Sequence, residues 1–166
     1  MERPDQTGAS GVTVLVVDDN AENRALAKAA LEDEGVRAVL AATGEAGIAA
    51  FGETRPACIL LDIRMPGLDG ITVCERIRAM AGGDRVAIIF VTAQRDVETF
   101  DRALAAGGDD FMPKPFRPSE LVVRVQTAMR LRQIVAERSE LATQLKRQRD
   151  ELQRLQLHKE QLSAFV

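Results

Sequence analysis

The 166-residue chain carries a formal net charge of −3, and 46% of its residues are hydrophobic. Trp and Tyr are absent, which argues against a nucleic-acid surface built on aromatic stacking. Residues 1–116 contain 12 Lys and Arg against 19 Asp and Glu, whereas residues 117–166 contain 10 against 6. We therefore expect an acidic globular part followed by a separate, mildly basic part.

Cysteine content and hydropathy argue against a secreted or membrane-spanning protein. Cys58 and Cys74 lie inside apolar or helical patterns without metal-ligand spacing, so we interpret both as buried thiols in a reducing compartment. No run of 18 apolar residues occurs, and no apolar signal core follows the N-terminus. These features predict a cytoplasmic protein without a membrane segment.

Residues 1–11 are predicted to form a flexible tail, and after them five short apolar runs alternate with amphipathic stretches. The predicted strands are Thr13–Val17, Arg37–Ala41, Ala57–Leu61, Ala87–Thr92 and Asp110–Met112. The predicted helices are Ala21–Glu34, Gly44–Phe51, Gly70–Met80 and Asp96–Ala106. Such alternation is typical of βα units around a parallel sheet buried on both faces. The pattern predicts an α/β fold, (βα)5 and doubly wound.

From Arg117 the sequence predicts one long helix, with no Gly and with Pro only at Pro118 in the first turn. A heptad assignment gives Leu131, Arg138, Leu145, Leu152 and Lys159 at position a, and Ile134, Leu141, Gln148, Leu155 and Leu162 at position d. Fifty helical residues would extend about 75 Å. We expect residues 131–166 to form a parallel coiled-coil homodimer. The alternative is a solvated single helix that frays.

Charged and hydroxyl side chains follow the predicted strands, at the sheet edge where ligands bind in open α/β folds. They are Asp18, Asp19, Asp62, Thr92 and Lys114. Carboxylates 4 Å apart repel by about 4 kcal/mol per pair at an effective dielectric of about 20. Either one carboxylate is therefore protonated or a divalent cation lies among them. Oxygen ligands without His or thiolate favour Mg²⁺.

The same residues form a complete set for phosphoryl transfer. Asp62, at the end of the central apolar strand, is the candidate nucleophile. Lys114 can neutralise one phosphoryl oxygen, and the Thr92 hydroxyl can donate to another. Asp18 has an alternative, structural interpretation as a helix N-cap. Asp69 is interpreted as a structural turn residue before Gly70.

Four segments occur in a fixed order along the globular part. They are Val16-Val17-Asp18-Asp19-Asn20, Leu60-Leu61-Asp62-Ile63-Arg64-Met65-Pro66-Gly67-Leu68-Asp69-Gly70, Val91-Thr92-Ala93 and Lys114-Pro115-Phe116. In this order and spacing they resemble the receiver domains of two-component response regulators. The resemblance covers about residues 12–128 and implies a flavodoxin-like five-stranded sheet for a receiver domain at residues 12–130.

The resemblance also implies the role of each site residue. Asp62 would accept a phosphoryl group from a phospho-histidine on a histidine kinase or phosphotransfer protein. Asp19 and Asp62 would bind Mg²⁺ directly, Asp18 mainly through water, and Arg64 through its backbone carbonyl. Lys114 would pair with the phosphoryl group after a cis peptide bond to the proline that follows it.

Thr92 and Phe111 match the family's switch pair, in which a hydroxyl and an aromatic ring move together on phosphorylation. Phe111 has no hydroxyl, so coupling through its ring would depend on packing alone. The alternative is that Phe111 is an ordinary core residue.

The final segment, residues 157–166, resembles the first dimerisation helix of histidine kinases just before their phosphoacceptor motif. This resemblance implies a histidine kinase core as the output domain. A stand-alone dimeric regulator and a cyclase or phosphatase output are the alternatives. His158, the single histidine, occupies a g position and is interpreted as a solvated flanking residue rather than a phosphoryl donor.

Two other functional classes fit less well. A phosphohydrolase with an aspartyl-phosphate intermediate would need an acid two residues after the nucleophile, where this chain has Arg64. A basic DNA-binding helix is disfavoured because acidic residues interrupt the Arg and Lys of the second part. These are Glu137, Glu140, Asp150, Glu151 and Glu160. The sequence predicts no nucleic-acid partner and no enzyme activity beyond phosphotransfer and autodephosphorylation.

Overall fold

The structure is a computed structural model that describes residues 11–93 and 96–164. Most of the predicted tail, residues 1–10, and the last two residues of the predicted coiled coil, 165–166, lie outside the described residues. The chain divides into two compact units, the first ending at Arg132 and the second beginning at Gln133.

Strands and helices alternate through the first unit in the described residues. The strands are β1 (Thr13–Val17), β2 (Arg37–Ala41), β3 (Cys58–Asp62), β4 (Ala87–Thr92) and β5 (Asp110–Pro113). The helices are α1 (Ala21–Asp33), α2 (Gly44–Thr54), α3 (Gly70–Ala79), α4 (Val97–Ala105) and α5 (Pro118–Ser163).

All five strands lie in one parallel sheet, in the order β2-β1-β3-β4-β5. The chain passes from β1 to β2 on one side and then crosses to β3 on the other. The topological switch point, where ligands bind in this class of fold, therefore lies between the carboxyl ends of β1 and β3. The predicted α/β fold, (βα)5, doubly wound and flavodoxin-like, with a long C-terminal helix, is confirmed.

The element bounds differ from prediction most at α2. The prediction ended this helix at Phe51, before a glycine, but the helix continues to Thr54. The Thr54 hydroxyl donates a hydrogen bond to the Ala50 carbonyl at 2.7 Å, and Arg55, with a φ of 46°, ends the helix in the left-handed region. A left-handed residue at a helix end is usually glycine, but here it is arginine. The sequence pattern therefore did not indicate where α2 ends.

The core has two layers, one on each face of the sheet. Successive strand residues point to opposite faces, so Leu15 and Leu61 pack with α2 and α3, while Val14 and Leu60 pack with α1 and α5. All four side chains are almost completely buried. Because both faces of the sheet are buried, successive residues of a strand are apolar, and the strands appear in the sequence as continuous apolar runs.

Both cysteines are buried free thiols, as predicted. Cys58 lies in the layer that contains α1 and α5, and Cys74 lies in the opposite layer. Burial raises the pKa of the Cys74 thiol to about 11 and raises the pKa of Cys58 further. Both thiols therefore act as small apolar side chains.

Helix α5 begins at Pro118, one residue after the predicted start. Its first turns bury Leu121, Val125 and Ala128 in the core of the first unit. The residues at the predicted heptad positions a and d are called the seam. In the second unit they are exposed, for example Leu145 at 57% and Leu152 at 66%. No helix among the described residues combines the length and the apolar character needed to cross a membrane.

We predict that Gly70→Ala destabilises the α/β unit. A Cβ atom at residue 70 would lie 2.1 Å from the carbonyl oxygen of Asp62 and 2.9 Å from Cα of Ile63, so the backbone would have to move. Chemical denaturation should show a loss of about 2 kcal/mol or more.

Gly52→Ala is the matched control for this change. Gly52 lies inside α2, and its added Cβ would approach nothing closer than Met80 Cε at 3.8 Å. Its stability should rise by about 0.5–1 kcal/mol, because alanine favours a helix. Equal stability of the two variants would contradict the packing described here.

Candidate functional site

Three acidic side chains meet at the carboxyl edge of the sheet. Asp18 and Asp19 follow β1, and Asp62 is the last residue of β3. One carboxylate oxygen from each lies within 4.8 Å of the other two. Asp18 and Asp62 are 4% and 5% exposed, whereas Asp19 is exposed to solvent. The cluster is therefore buried at Asp18 and Asp62 and accessible to solvent at Asp19.

Asp18 is held in place by the start of α1, but it does not cap this helix. The cap is Asn20, whose side chain accepts a hydrogen bond from the Asn23 amide at 3.0 Å. Asp18 Oδ1 accepts from the Asn20 amide at 2.9 Å, which leaves its second oxygen for the site. The alternative interpretation of Asp18 as the N-cap is therefore wrong.

The loop after Asp62 is fixed by a helix cap and a close backbone approach. Asp69 caps α3 by accepting from the Thr72 amide at 2.8 Å. The Gly70 amide donates to the Ile63 carbonyl at 2.8 Å, which folds the loop back against the end of β3. Asp69 is thus a structural residue, as interpreted from the sequence, although it acts as a helix cap rather than within a turn.

Lys114 joins the acidic cluster from the far side of β4. Its Nζ atom lies 2.8 Å from Asp18 Oδ2 and 3.2 Å from Asp62 Oδ2. The lysine follows β5, its amide donates to the Thr92 carbonyl at 3.0 Å, and its peptide bond to Pro115 is cis, as the resemblance implied. One ammonium group therefore bridges the two buried acids.

Burial and neighbouring charges shift the pKa values of this group. Burial raises the pKa of the Asp62 carboxyl to about 6; the Lys114 ammonium lowers it, and the charges of Asp18 and Asp19 raise it. Burial opposes the charged form of Lys114, but its contacts with Asp18 and Asp62 raise its pKa overall. Any cation brought to the cluster would favour the ionised form of Asp62.

Two other predicted site residues lie near the same edge. Thr92 is buried at the end of β4, where it pairs in register with Pro113. Arg64 is exposed, two residues after Asp62, and lines an open cleft with Asp96, the N-cap of α4, and with residues of α4. The Arg64 side chain thus belongs to a neighbouring surface, and the prediction for this residue concerned its backbone carbonyl.

Phe111, the predicted switch ring, packs between β4 and α4. Its ring centroid lies 5.5 Å from that of Phe90 and 4.3 Å from that of Phe100. Half-burial of Phe111 in this aromatic group is compatible with both interpretations, switch residue and ordinary core. The sequence pattern did not indicate that Phe100 would contact Phe111, because a single aromatic residue on an amphipathic helix is common.

Comparison with known proteins decides the family. The family model described as the response regulator receiver domain matches residues 14–126. The chain belongs to this family. The match ends before the second unit begins at Gln133, so the part of α5 in the second unit lies outside the residues that match the family.

Named response regulators show the same similarity. The chain is 38% identical over 117 residues to the DNA-binding response regulator MtrA of Mycolicibacterium paratuberculosis, covering 70% of this chain and 51% of MtrA. It is 36% identical over 119 residues to the response regulator MprA of Mycolicibacterium vanbaalenii, covering 72% and 51%. The chain spans about half the length of these curated relatives.

Solved receiver structures are similar to the chain in fold. The chemotaxis protein CheY4 of Vibrio cholerae has a TM-score of 0.68 at 26% identity, covering 70% of this chain and 98% of CheY4. NtrX from Brucella abortus has a TM-score of 0.72 at 28% identity, covering 79% of this chain and 30% of NtrX. The receiver resemblance noted in the sequence is thereby confirmed.

Sequence reasoning missed a partly buried arginine that joins the loops at the opposite edge of the receiver domain. Arg78, 13% exposed, donates hydrogen bonds to the carbonyls of Gly83, Val86 and Gly107 and forms a 3.0 Å ion pair with Asp109. It ties the end of α3 to the loops before β4 and β5. An arginine in the last turn of a helix is ordinary, so the pattern gave no signal.

We predict that Arg78→Met lowers the stability of the receiver domain by about 3 kcal/mol, because it leaves three carbonyls without the arginine donor and removes the ion pair with Asp109, which keeps its hydrogen bond from the Ile88 amide. Urea denaturation followed by circular dichroism measures this loss. Arg76→Met is the control, since Arg76 is exposed on the same helix and should change stability by less than about 0.5 kcal/mol. A similar cost for both variants would show that the Arg78 contacts contribute no net stability.

Proposed function

We propose that this chain is a phosphoacceptor module in a two-component phosphorelay. Asp62 takes a phosphoryl group from a phospho-histidine of a histidine kinase or phosphotransfer protein. The observation that carries the proposal is the Lys114 ammonium, 2.8 Å from Asp18 and 3.2 Å from Asp62, within a three-carboxylate cluster. Membership of the receiver family supports the same assignment.

The chemistry of the donor set fits Mg²⁺. Three carboxylates and one ammonium leave an excess of negative charge, which a divalent cation would offset. The cluster contains no His or Cys, and all-oxygen sets suit a hard cation. We assign Asp18, Asp19, Asp62 and the backbone carbonyl of Arg64 as the groups that would hold it. When bound, Mg²⁺ would neutralise charge on the phosphoryl oxygens.

The residues of the chain have separate tasks in the transfer. A carboxylate oxygen of Asp62 attacks the phosphorus atom, a new O–P bond forms, and the P–N bond of the donor histidine breaks. The Lys114 ammonium, which contacts two carboxylates, pairs with a phosphoryl oxygen of the product. The Thr92 hydroxyl, buried at the end of the adjacent strand, donates to another.

The change at Asp62 then alters packing around Phe111. Movement of the Thr92 hydroxyl toward the phosphoryl group changes the space next to β5, where the Phe111 ring contacts Phe90 and Phe100. Since Phe100 lies on α4, a shift of the ring changes how α4 packs against the sheet. Apart from this phosphotransfer and the later loss of the phosphoryl group, we propose no catalytic activity for the chain.

We predict that Asp62→Asn abolishes labelling by radioactive acetyl phosphate, because an amide cannot act as the nucleophile. Asp69→Asn is the matched control, since asparagine also caps a helix and labelling should persist. Phosphoryl incorporation in Asp62→Asn at the wild-type level would disprove the assignment of the acceptor.

We predict that Asp19→Asn weakens Mg²⁺ binding by roughly tenfold or more, because the cluster loses one of its charged oxygen ligands. Isothermal titration calorimetry is suitable, since the chain has no Trp or Tyr for a fluorescence signal. Asp84→Asn, which removes a charge from the exposed loop before β4, should leave the affinity unchanged. A loss of affinity in both variants would point to net charge rather than to a defined site.

We further propose that residues 131–166 form a parallel coiled-coil homodimer that carries the signal to an output domain. The exposed apolar seam of the second unit supports the dimer. For the output we retain a histidine kinase core, because residues 157–166 resemble a kinase dimerisation helix. The family match ends at residue 126, so it does not extend to this segment.

A DNA-binding output is the second candidate, because the relative MtrA is described as a DNA-binding response regulator. The two candidates differ in measurable behaviour of the full-length protein. ATP-dependent labelling of a histidine would favour the kinase. Binding to duplex DNA that weakens steeply with salt would favour the DNA-binding regulator.

A further inference from the structure

The second unit exposes a line of apolar side chains that is interrupted at three heptad positions. The apolar members are 43–66% exposed: Ile134, Leu141, Leu145, Leu152, Leu155 and Leu162. The interrupting residues are Arg138, Gln148 and Lys159. We propose that a second copy of this chain covers this seam in parallel and in register, and that Glu137 of each copy pairs with Arg138 of the other. The proposal rests on the coiled-coil homodimer proposed above and defines its geometry.

The positions of the polar residues favour an in-register pairing. In register, each apolar layer meets its own counterpart, and each of the three polar layers does the same. A slip of one heptad would place Arg138 against Leu145 and Gln148 against Leu155. A charged or amide group would then be buried against leucine without a partner, which is costly.

The acidic residues beside the seam favour a parallel orientation. Glu137 and Glu151 occupy g positions. An antiparallel pairing centred on Thr143 would match the polar layers, with Arg138 opposite Gln148 of the second copy. It would also bring the g positions together, so that Glu137 would lie opposite Glu151 of the second copy at two places. Like charges at these flanking positions act against that orientation.

The parallel orientation gives Arg138 a partner. In a parallel dimer the g residue of one helix lies beside the following a residue of the other, so Glu137 of one copy lies beside Arg138 of the second. Two such pairs form in the dimer. They offset the repulsion between the two Arg138 side chains, which share one layer. Arg138 therefore specifies the register instead of only weakening the seam.

Disulfide cross-linking of Leu155→Cys tests the orientation. In the parallel dimer the two introduced thiols share a layer, so mild oxidation should convert most of the chain to a covalent dimer. In the antiparallel arrangement they would be about 36 Å apart, because 24 helical residues separate them. The native Cys58 and Cys74 are buried and should remain unreacted.

Gln153→Cys is the matched control, since position 153 points away from the seam and should cross-link poorly. Sedimentation of the wild-type chain shows whether a dimer forms. A monomer at all concentrations, or a dimer in which Leu155→Cys does not cross-link, overturns the proposal. Labelling of Asp62 by acetyl phosphate is measured in the same samples, so that failure of the dimer is distinguished from failure of the phosphoacceptor site.

Charge exchange tests the pair itself. Glu137→Arg and Arg138→Glu should each weaken the dimer by about fivefold, since each removes two interchain pairs and places like charges together. The double variant restores opposite charges and should return to within about twofold of the wild-type dissociation constant. Additive losses in the double variant would overturn the pairing.

Discussion

The chain must hold three acidic side chains together at one edge of its sheet. The strand order brings Asp18 and Asp19 next to Asp62, because β1 and β3 are neighbours. Their mutual repulsion is offset in the structure by the Lys114 ammonium, which reaches the cluster from the end of β5. The burial that raises the pKa of Asp62 also strengthens this attraction, because the local dielectric is low.

Much of the surrounding structure keeps this edge in place. Asn20 caps α1 and supplies the amide that orients Asp18, while Asp69 caps α3 and Gly70 allows the next loop to contact the backbone of Asp62. At the opposite edge, Arg78 fixes the loops that lead into β4 and β5. The site residues thus lie on strand ends and short loops whose positions are set by caps and buried hydrogen bonds.

The two units differ in how far they bury their apolar side chains. The receiver unit buries most of its large apolar side chains in two layers, one on each face of the sheet, so its core forms within one chain. The second unit is a helix whose seam remains exposed, for example Leu141 at 55% and Leu155 at 53%. Helix α5 contributes to both, since Leu121 and Val125 are core residues of the receiver.

The amino-acid sequence alone predicted the order of strands and helices, because doubly buried strands and amphipathic helices have different periods. It also identified Asp18, Asp19, Asp62 and Lys114, since polar residues directly after apolar strands must lie at one sheet edge. The folded structure was needed to show that Asn20 rather than Asp18 caps α1, and that Arg78 joins the loops at the far edge. These depend on contacts between residues distant in sequence or on competing local hydrogen bonds, which residue type and spacing do not encode.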